Sequence, residues 1–227
     1  MKKEIVVLSL GGSIIIPDEI DLVFLRKFRQ LILQNLRNYA KIIIVAGGGK
    51  VCRKYQQAAK KLTTISQADL DWIGIAATKL NSELIRTLFA PQAFSSIVDQ
   101  PRKKIKTPKK IIVGSGSLPG SSSDLDAVLL AENFGAKTVI NLSNISYVYT
   151  KDPRKYQDAK PIKKISWQEF KKVIGTKYKP GMNVPFDPVA AKRAEKKGIK
   201  VIIAKGTNLN NFSNLLKEKP FQGTVIG

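Results

Sequence analysis

Two short runs of Val, Ile and Leu each end in consecutive glycines and lead into helix-like sequence. The first, VVLSLGGSIII, sets Gly11, Gly12 and Ser13 directly after Ile5 to Leu10. The second, KIIIVAGGGK, sets Gly47, Gly48 and Gly49 after Ile42 to Ala46. An unbroken apolar run of this length is what a strand buried on both faces requires. Glycines at its end let the backbone turn sharply into a helix and leave several N–H groups bare at the positive end of the helix dipole. A phosphate can then approach the backbone closely. Two such turns imply two phosphate groups, or one phosphate chain gripped from both ends. Neither turn follows G-x-G-x-x-G or G-x-x-x-x-G-K-[ST], and either one alone is equally what an ordinary tight turn needs.

Further Val- and Ile-rich runs recur at 111–114, 138–142 and 199–204, besides those at 4–10 and 41–46. The intervening segments carry helical periodicity, as in Leu22, Leu25, Phe28, Leu31, Ile32 and Leu36, or Leu80, Leu84 and Leu88. Strands separated by helices predict βαβ units, hence an α/β fold with a mainly parallel sheet covered on both faces. Residues 101–108 read as a loop or hairpin. Residues 150–165, broken by Pro153 and Pro161, read as irregular exposed chain. The chain is expected to form one domain with an N-terminal half of about 1–110 carrying both glycine turns and a C-terminal half of about 111–227, sharing one sheet. Gln222 to Ile226 is expected to add a final edge strand.

Composition narrows the chemistry. The chain has 227 residues, 43% of them hydrophobic, one cysteine (Cys52) and no histidine. Ser-His-Asp and Cys-His catalysis, imidazole acid–base steps and histidine or polythiolate metal sites are thereby excluded. Carboxylates, Lys, Arg, hydroxyls, backbone amides and Mg²⁺ remain, an inventory that suits phosphoryl transfer, where catalysis is mostly positioning and charge neutralisation. A single cysteine fits a reducing compartment. The N-terminal Met1-Lys2-Lys3 and the apolar run after it superficially resemble a secretion signal. The run is short, contains Gly11-Gly12 and lacks a small-x-small cleavage site, so it reads as a first buried strand. No stretch reaches the roughly 20 apolar residues that span a bilayer. A cytoplasmic protein without a membrane partner is expected.

The formal net charge of +22 raises nucleic acid as a rival partner, with Arg102, Lys103, Lys104, Lys106, Lys109 and Lys110 the densest cluster. No aromatic residues interleave with these cations to stack bases. Solvated faces and a general attraction for anionic nucleotides account for the charge without specific nucleic-acid binding.

A third motif follows the strand IIVGSG: the run SLPGSSSDLDAVLLAE, with hydroxyls at Ser115, Ser117, Ser121, Ser122 and Ser123 and Asp124 opening an amphipathic helix. Ser at an N-cap and Asp in the first turn are locally favourable. So many hydroxyls and amides at one helix start exceed what capping needs, and they suit a second anion, with Asp124 orienting a metal or a lysine beside the transferred group. Asp126 reads as a charge on the helix surface. Lys50 reads equally as an exposed first-turn residue and as a catalytic cation.

In this order the motifs resemble the amino-acid kinase superfamily and, within it, the archaeal-type branch of the uridylate (UMP) kinases. The resemblance covers nearly the whole chain. VAGGGKVCRKY is similar to the family's GGGK-x-x-RKY segment, and DWIGIAATKLNSELI resembles its D-x-I-G-I-x-x-T-x-x-N helix, giving Asp71, Gly74, Thr78 and Asn81. LPGSSSDLDAVLLAE, SNISYVYTKDPRK and VPFDPVAAKRAEKKGIKVIIAKG resemble its acceptor loop, nucleotide loop and C-terminal helix and strand. The resemblance implies a three-layer α/β/α fold and transfer of the ATP γ-phosphoryl group to UMP, with Mg²⁺ carried by the ATP. By the same resemblance Gly12, Ser13, Gly49 and Arg53 contact ATP phosphates, and Ser143, Asn144, Tyr149 and Asp152 hold the adenosine side. Gly48 sits at the UMP phosphate, Asp71 takes the UMP ribose, and the loop of Ser117, Leu118, Pro119, Gly120, Ser121, Ser122 and Ser123 wraps the UMP base and phosphate. Asp124, Arg53 and Lys50 are the catalytic candidates. A homo-oligomer, a hexamer by analogy, is implied.

The chain departs from the pattern in three places, the mildest being Ser122-Ser123 for the Thr-Thr before Asp124, which keeps the hydroxyls. Ser9 stands where many superfamily members have Lys, and Ile145-Ser146-Tyr147 replaces Val-Asp-Gly in the nucleotide loop. The alternatives are a different phosphate or carboxylate acceptor on the same fold, or a nucleotide-sensing protein without turnover.

Overall fold

The computed structural model describes residues 3–175 and 184–227; Met1 and Lys2, the start of the signal-like stretch, lie outside them. In chain order the elements are β1 (Ile5–Leu10), α1 (Gly12–Ile15), α2 (Leu22–Asn35), β2 (Lys41–Ala46), α3 (Gly49–Leu62) and α4 (Gln67–Leu88). There follow β3 (Ile111–Gly114), α5 (Ser123–Phe134), β4 (Thr138–Ser143), β5 (Val148–Tyr149), β6 (Pro161–Ile162) and β7 (Lys164–Ile165). The last are α6 (Trp167–Ile174), α7 (Pro188–Lys196), β8 (Lys200–Lys205), α8 (Leu209–Leu216) and β9 (Thr224–Ile226).

Seven strands form one sheet in the order β3-β2-β1-β4-β8-β9-β7. The first five are parallel; β9 runs antiparallel to β8 and parallel to β7. All five apolar runs of the sequence are therefore strands. The segment at 222–226 is not the edge, because the two residues of β7 pair beyond it. Those residues also interrupt the expected irregular stretch at 150–165.

Alternation along the strands builds the three layers. Val6, Leu8 and Leu10 join the core made with α2, α8 and Ile85 of α4, whereas Val7 joins the core made with α5, α6 and α7. The interior residues of the five long strands are buried on one face or the other, which is why the runs carry no polar alternation. The same alternation sends Ser9 and Asn141, direct register partners on β1 and β4, toward the α5 side.

Two helices depart from the expected patterns. In α4 the buried face includes Ile75, Thr78, Asn81, Ser82 and Ile85, while Leu80 is 67% exposed. The polar members of that face are satisfied by backbone: Asn81 Nδ2 donates to Gly47 O at 2.7 Å and Ser82 Oγ to Gly114 O at 2.8 Å. In α5 six successive residues, Asp126 to Ala131, are buried. The helix is sandwiched between the sheet and α7, so it has no wet face over that stretch. Among the described residues no helix is long and apolar enough to cross a membrane.

Candidate active site

The strand order reverses between β1 and its neighbour β4, since the chain winds outward to β2 and β3 on one side and to β8 on the other. Diverging connections leave a crevice beyond the carboxyl ends of those strands, where ligands of open α/β sheets bind. Both glycine turns lie there, and the ladder carries on into them. Gly47 N–H donates to Leu10 O at 2.9 Å, and Gly11 N–H donates to Leu142 O at 2.9 Å.

The two turns touch backbone to backbone. A Cβ on Gly47 would lie 2.8 Å from Gly12 N, and a Cβ on Gly49 would meet Gly12 O at 2.5 Å and Ser13 N at 2.9 Å. Gly49 also has φ of +65°, a conformation that side chains resist. From this junction α1 and α3 diverge, with Gly48 as the N-cap of α3.

An open cleft of about 880 Å³ lies over the junction, lined among others by Ser13, Gly48, Gly49, Lys50, Arg53, Asp71, Ser121, Ser123 and Asn144. It gathers side chains from α1, α3, α4, the start of α5 and the loop after β4. Gly12 and Asp124 are not among its lining residues. Arg53 is exposed on α3. Lys50, in the first turn of α3, reaches Asp18 Oδ1 at 2.6 Å, and that pair is largely exposed. Cys52 and Gln56, on the same helix, also line the cleft.

Asp124 is held by neighbours that sequence inspection gave no role. Ser9 Oγ and Asn141 Nδ2 donate to its Oδ1 at 3.0 and 3.1 Å, and the Asp187 N–H donates to Oδ2 at 3.2 Å. Asp187 is itself the N-cap of α7, accepting from Ala190 N at 2.7 Å. Desolvation pushes the Asp124 carboxyl up to about 6, against the pull of the Ser9 and Asp187 hydrogen bonds and with the help of the Asp187 charge. The Asp187 carboxyl is raised as well, again chiefly by burial. Strand alternation is the signal that pairs Ser9 with Asn141, but only the packing of α5 and α7 brings Asp124 and Asp187 to them.

The loop from Ser115 to Ser122 is anchored at several points. Gly116 N–H donates to Thr78 Oγ1 at 2.9 Å, and Gly120 N–H donates to Asp71 Oδ2 at 2.7 Å. Asp71 also accepts from Gln67 Nε2 at 2.8 Å. Ser122 caps α5 by accepting from Leu125 N at 3.2 Å. Asp126 is not on the surface as expected: it is fully buried and accepts from Ser117 and Ser121. Its apparent surface position came from reading α5 as one-sided. Leu118, in contrast, is 65% exposed, and Leu118, Pro119 and Gly120 do not line the cleft.

On the nucleotide side Asn144 lines the cleft, whereas Ser143, Tyr149 and Asp152 do not. Tyr147 stands edge-on to Tyr149, with ring centroids 6.4 Å apart. Asp152 is gripped by the Arg154 guanidinium, Nε to Oδ1 at 3.0 Å and an NH2 group to Oδ2 at 2.9 Å, which holds its carboxyl down at about 2.

Residues 4–205 match the model of the amino acid kinase family. The chain belongs to the amino acid kinase family. Within that family it is 34% identical over 226 residues to a uridylate kinase of Thermoplasma volcanium, covering 98% of this chain and 97% of the relative. It is likewise 34% identical over 223 residues to the uridylate kinase of Archaeoglobus fulgidus, covering 97% and 99%. The crystal structure of uridylate kinase from Archaeoglobus fulgidus superimposes with a TM-score of 0.84 at 33% identity, covering 100% of both chains. The UMP kinase of Ureaplasma parvum shares the fold, with a TM-score of 0.79 at 17% identity.

A family of kinases implies a divalent ion accompanying the nucleotide. Among the described residues no three carboxylate or thiol groups come together to cage a metal. Asp124, which accepts from the Asp187 N–H, directly follows the cleft-lining Ser123. One or two carboxylates together with substrate phosphates are what Mg²⁺ takes. The donor set therefore fits an ion that would be carried chiefly by phosphate oxygens, with Asp124 the carboxylate that would hold it.

Proposed function

We propose that this family member is a nucleoside monophosphate kinase that transfers the γ-phosphoryl group of ATP to UMP. The bond from the γ-phosphorus to its bridging oxygen breaks, a bond to a UMP phosphate oxygen forms, and ADP and UDP leave. The observation that carries the reading is the backbone contact of Gly12 with Gly47 and Gly49, which sets the two glycine turns side by side, as two phosphate groups meeting end to end require. Identity of 34% with uridylate kinases over nearly the full chain favours UMP over another acceptor, and a working enzyme over a silent nucleotide sensor.

In this reading the amides at Gly12, Ser13 and Gly49 and the Arg53 guanidinium take the ATP phosphates, and Gly48 takes the UMP phosphate. Asp71 accepts from the ribose hydroxyls. Two polyanions are brought together at fixed dipoles, so most of the catalysis is orientation and charge neutralisation rather than proton removal. Lys50 supplies a further cation at the cleft. Mg²⁺, bound with ATP, contributes neutralisation of the phosphate charge; Asp124, kept in place by Ser9, Asn141 and Asp187, is the group that would hold it. Asn144, with Ser143, Tyr149 and Asp152, serves the adenosine side. The acceptor side corresponds to about residues 1–110 and the nucleotide side to about 111–227, with β3 and the loop after it reaching across to the acceptor. The enzyme is proposed to work in the cytoplasm as a homo-oligomer, a hexamer by family analogy.

The test is an ADP-release assay with ATP and Mg²⁺ in which UMP, CMP, dCMP and AMP are offered in parallel. UMP is the expected acceptor. Turnover of another monophosphate but not of UMP would falsify the acceptor assignment and leave the kinase class standing.

A further inference from the structure

Asp126 sits in the first turn of α5, fully buried, and the phosphoryl-transfer scheme above makes no use of it. Its carboxylate collects three hydrogen bonds from the loop before α5. Ser117 Oγ donates to Oδ1 at 2.6 Å, Ser121 Oγ donates to the same oxygen at 3.0 Å, and Ser117 N–H donates to Oδ2 at 3.2 Å. A carboxylate only accepts, so the protons of both hydroxyls are committed to it.

That commitment decides what the loop offers to a ligand. Ser121 lines the cleft. With its proton turned to Asp126, the Ser121 oxygen keeps lone pairs and has no donor to offer. A phosphate, whose oxygens are all acceptors, gains nothing there. A ring N–H of a heterocyclic base is a donor and fits. Phosphate is already served by the amides of the glycine turns, and ribose hydroxyls by Asp71, whose other role is to hold the neighbouring Gly120 N–H at 2.7 Å. The loop is thus pinned from two sides by two carboxylates, Asp71 from α4 and Asp126 from α5, with Ser121 between them.

We propose that Asp126 is a positioning residue for the acceptor base, ordering the loop from Ser117 to Ser121 and fixing the Ser121 hydroxyl as a hydrogen-bond acceptor for the N–H edge of the pyrimidine. The inference rests on the reading of UMP as acceptor. Ser121 meets the base and not the phosphate, and Asp126 acts only through it.

Steady-state kinetics on the full chain test this, with Asp126→Asn, Asp126→Ala, Ser117→Ala and Ser121→Ala variants and two acceptors, UMP and its 3-methyluridine analogue, which lacks the ring N–H. Ser121→Ala is expected to raise KM for UMP about tenfold while kcat and KM for ATP stay within about twofold. The same substitution leaves KM for the methylated analogue within about twofold, because the contact it deletes is one the analogue never makes. Asp126→Ala moves KM for UMP the same way, and Asp126→Asn, which keeps one acceptor oxygen, falls between. If Asp126→Ala does not fold, the two serine variants decide, since each removes only a hydroxyl. An unchanged KM for UMP in Ser121→Ala, or an equal rise for the analogue, overturns the proposal. Absence of UMP turnover by the unaltered chain overturns the acceptor reading beneath it, a result the variants do not produce.

Discussion

Gly12 and Gly49, 37 positions apart in sequence, pack backbone against backbone, so closely that a Cβ on Gly49 would stand 2.5 Å from the Gly12 carbonyl oxygen. The contact joins the turn after β1 to the turn after β2 and makes one surface of amides out of two loops. Gly12→Ala is expected to force the turns apart, costing about 1–3 kcal/mol of stability by overpacking and, through misplacement of the phosphates, about 10²-fold in turnover. Gly120→Ala is the control. Its φ of +81° carries a backbone penalty of about 1–2 kcal/mol, but no atom lies within 4 Å of the added carbon. Thermal melts and kcat/KM on both variants separate the two causes.

Arg53 is exposed on α3 and lines the cleft. Arg53→Ala is expected to lower kcat/KM at least about tenfold, as loss of one charged donor to a transition state does, with the melting temperature unmoved. Lys50→Ala breaks the exposed, solvent-screened pair with Asp18 and is likewise expected to leave the melting temperature unmoved. A melting temperature that drops with Arg53→Ala would place that residue in the scaffold instead.

Asp71 divides its carboxylate between Gln67 and the Gly120 amide. Asp71→Asn is expected to raise KM for UMP about tenfold or more, in line with about 1.5–3 kcal/mol for a hydrogen bond to a charged group. KM for ATP is expected to hold. Equal rises in both constants would argue against a ribose contact.

Asp124 and Asp126 are both pushed up to about 6 by burial, from 3.8. Below about pH 4 both are protonated whether folded or not, and their protonated forms favour the native state. Between there and about 6 the folded chain holds protons that the unfolded chain has released, so stability falls as pH rises through this window and levels off above it. Asp124→Asn is expected to flatten that slope by an amount on the order of 1–3 kcal/mol. Urea midpoints of the nucleotide-free protein across the window check this; an identical slope in the variant would remove Asp124 from the effect.

How much of this was legible beforehand varied with the physics of each segment. The five long strands were, because a strand buried on both faces must be apolar at every position, as Ile42 to Ala46 is. The α4 stripe was not. Its buried face is partly polar, since Asn81 is satisfied by the Gly47 carbonyl and Ser82 by the Gly114 carbonyl at the end of β3, which no local pattern encodes. Asp126 was misjudged for a related reason: a carboxylate near a helix start normally faces water, and here the serines of a neighbouring loop replace that water. The strand at 222–226 was expected at the sheet edge because nothing marked Lys164 and Ile165 as a partner for it.

Local chemistry alone determined the βαβ winding, the two glycine turns and the inventory of carboxylates, cations and hydroxyls, since these follow from burial on two faces, from freedom at φ and from which residue types are present. Tertiary structure decided which of them meet. The parallel pairing of β1 with β2 brings Gly12 against Gly49, and the packing of α5 and α7 on one face of the sheet sets Asp124 against Ser9, Asn141 and Asp187. Those contacts join residues from 17 to 115 positions apart in sequence, and only the free energy of the assembled core holds them together.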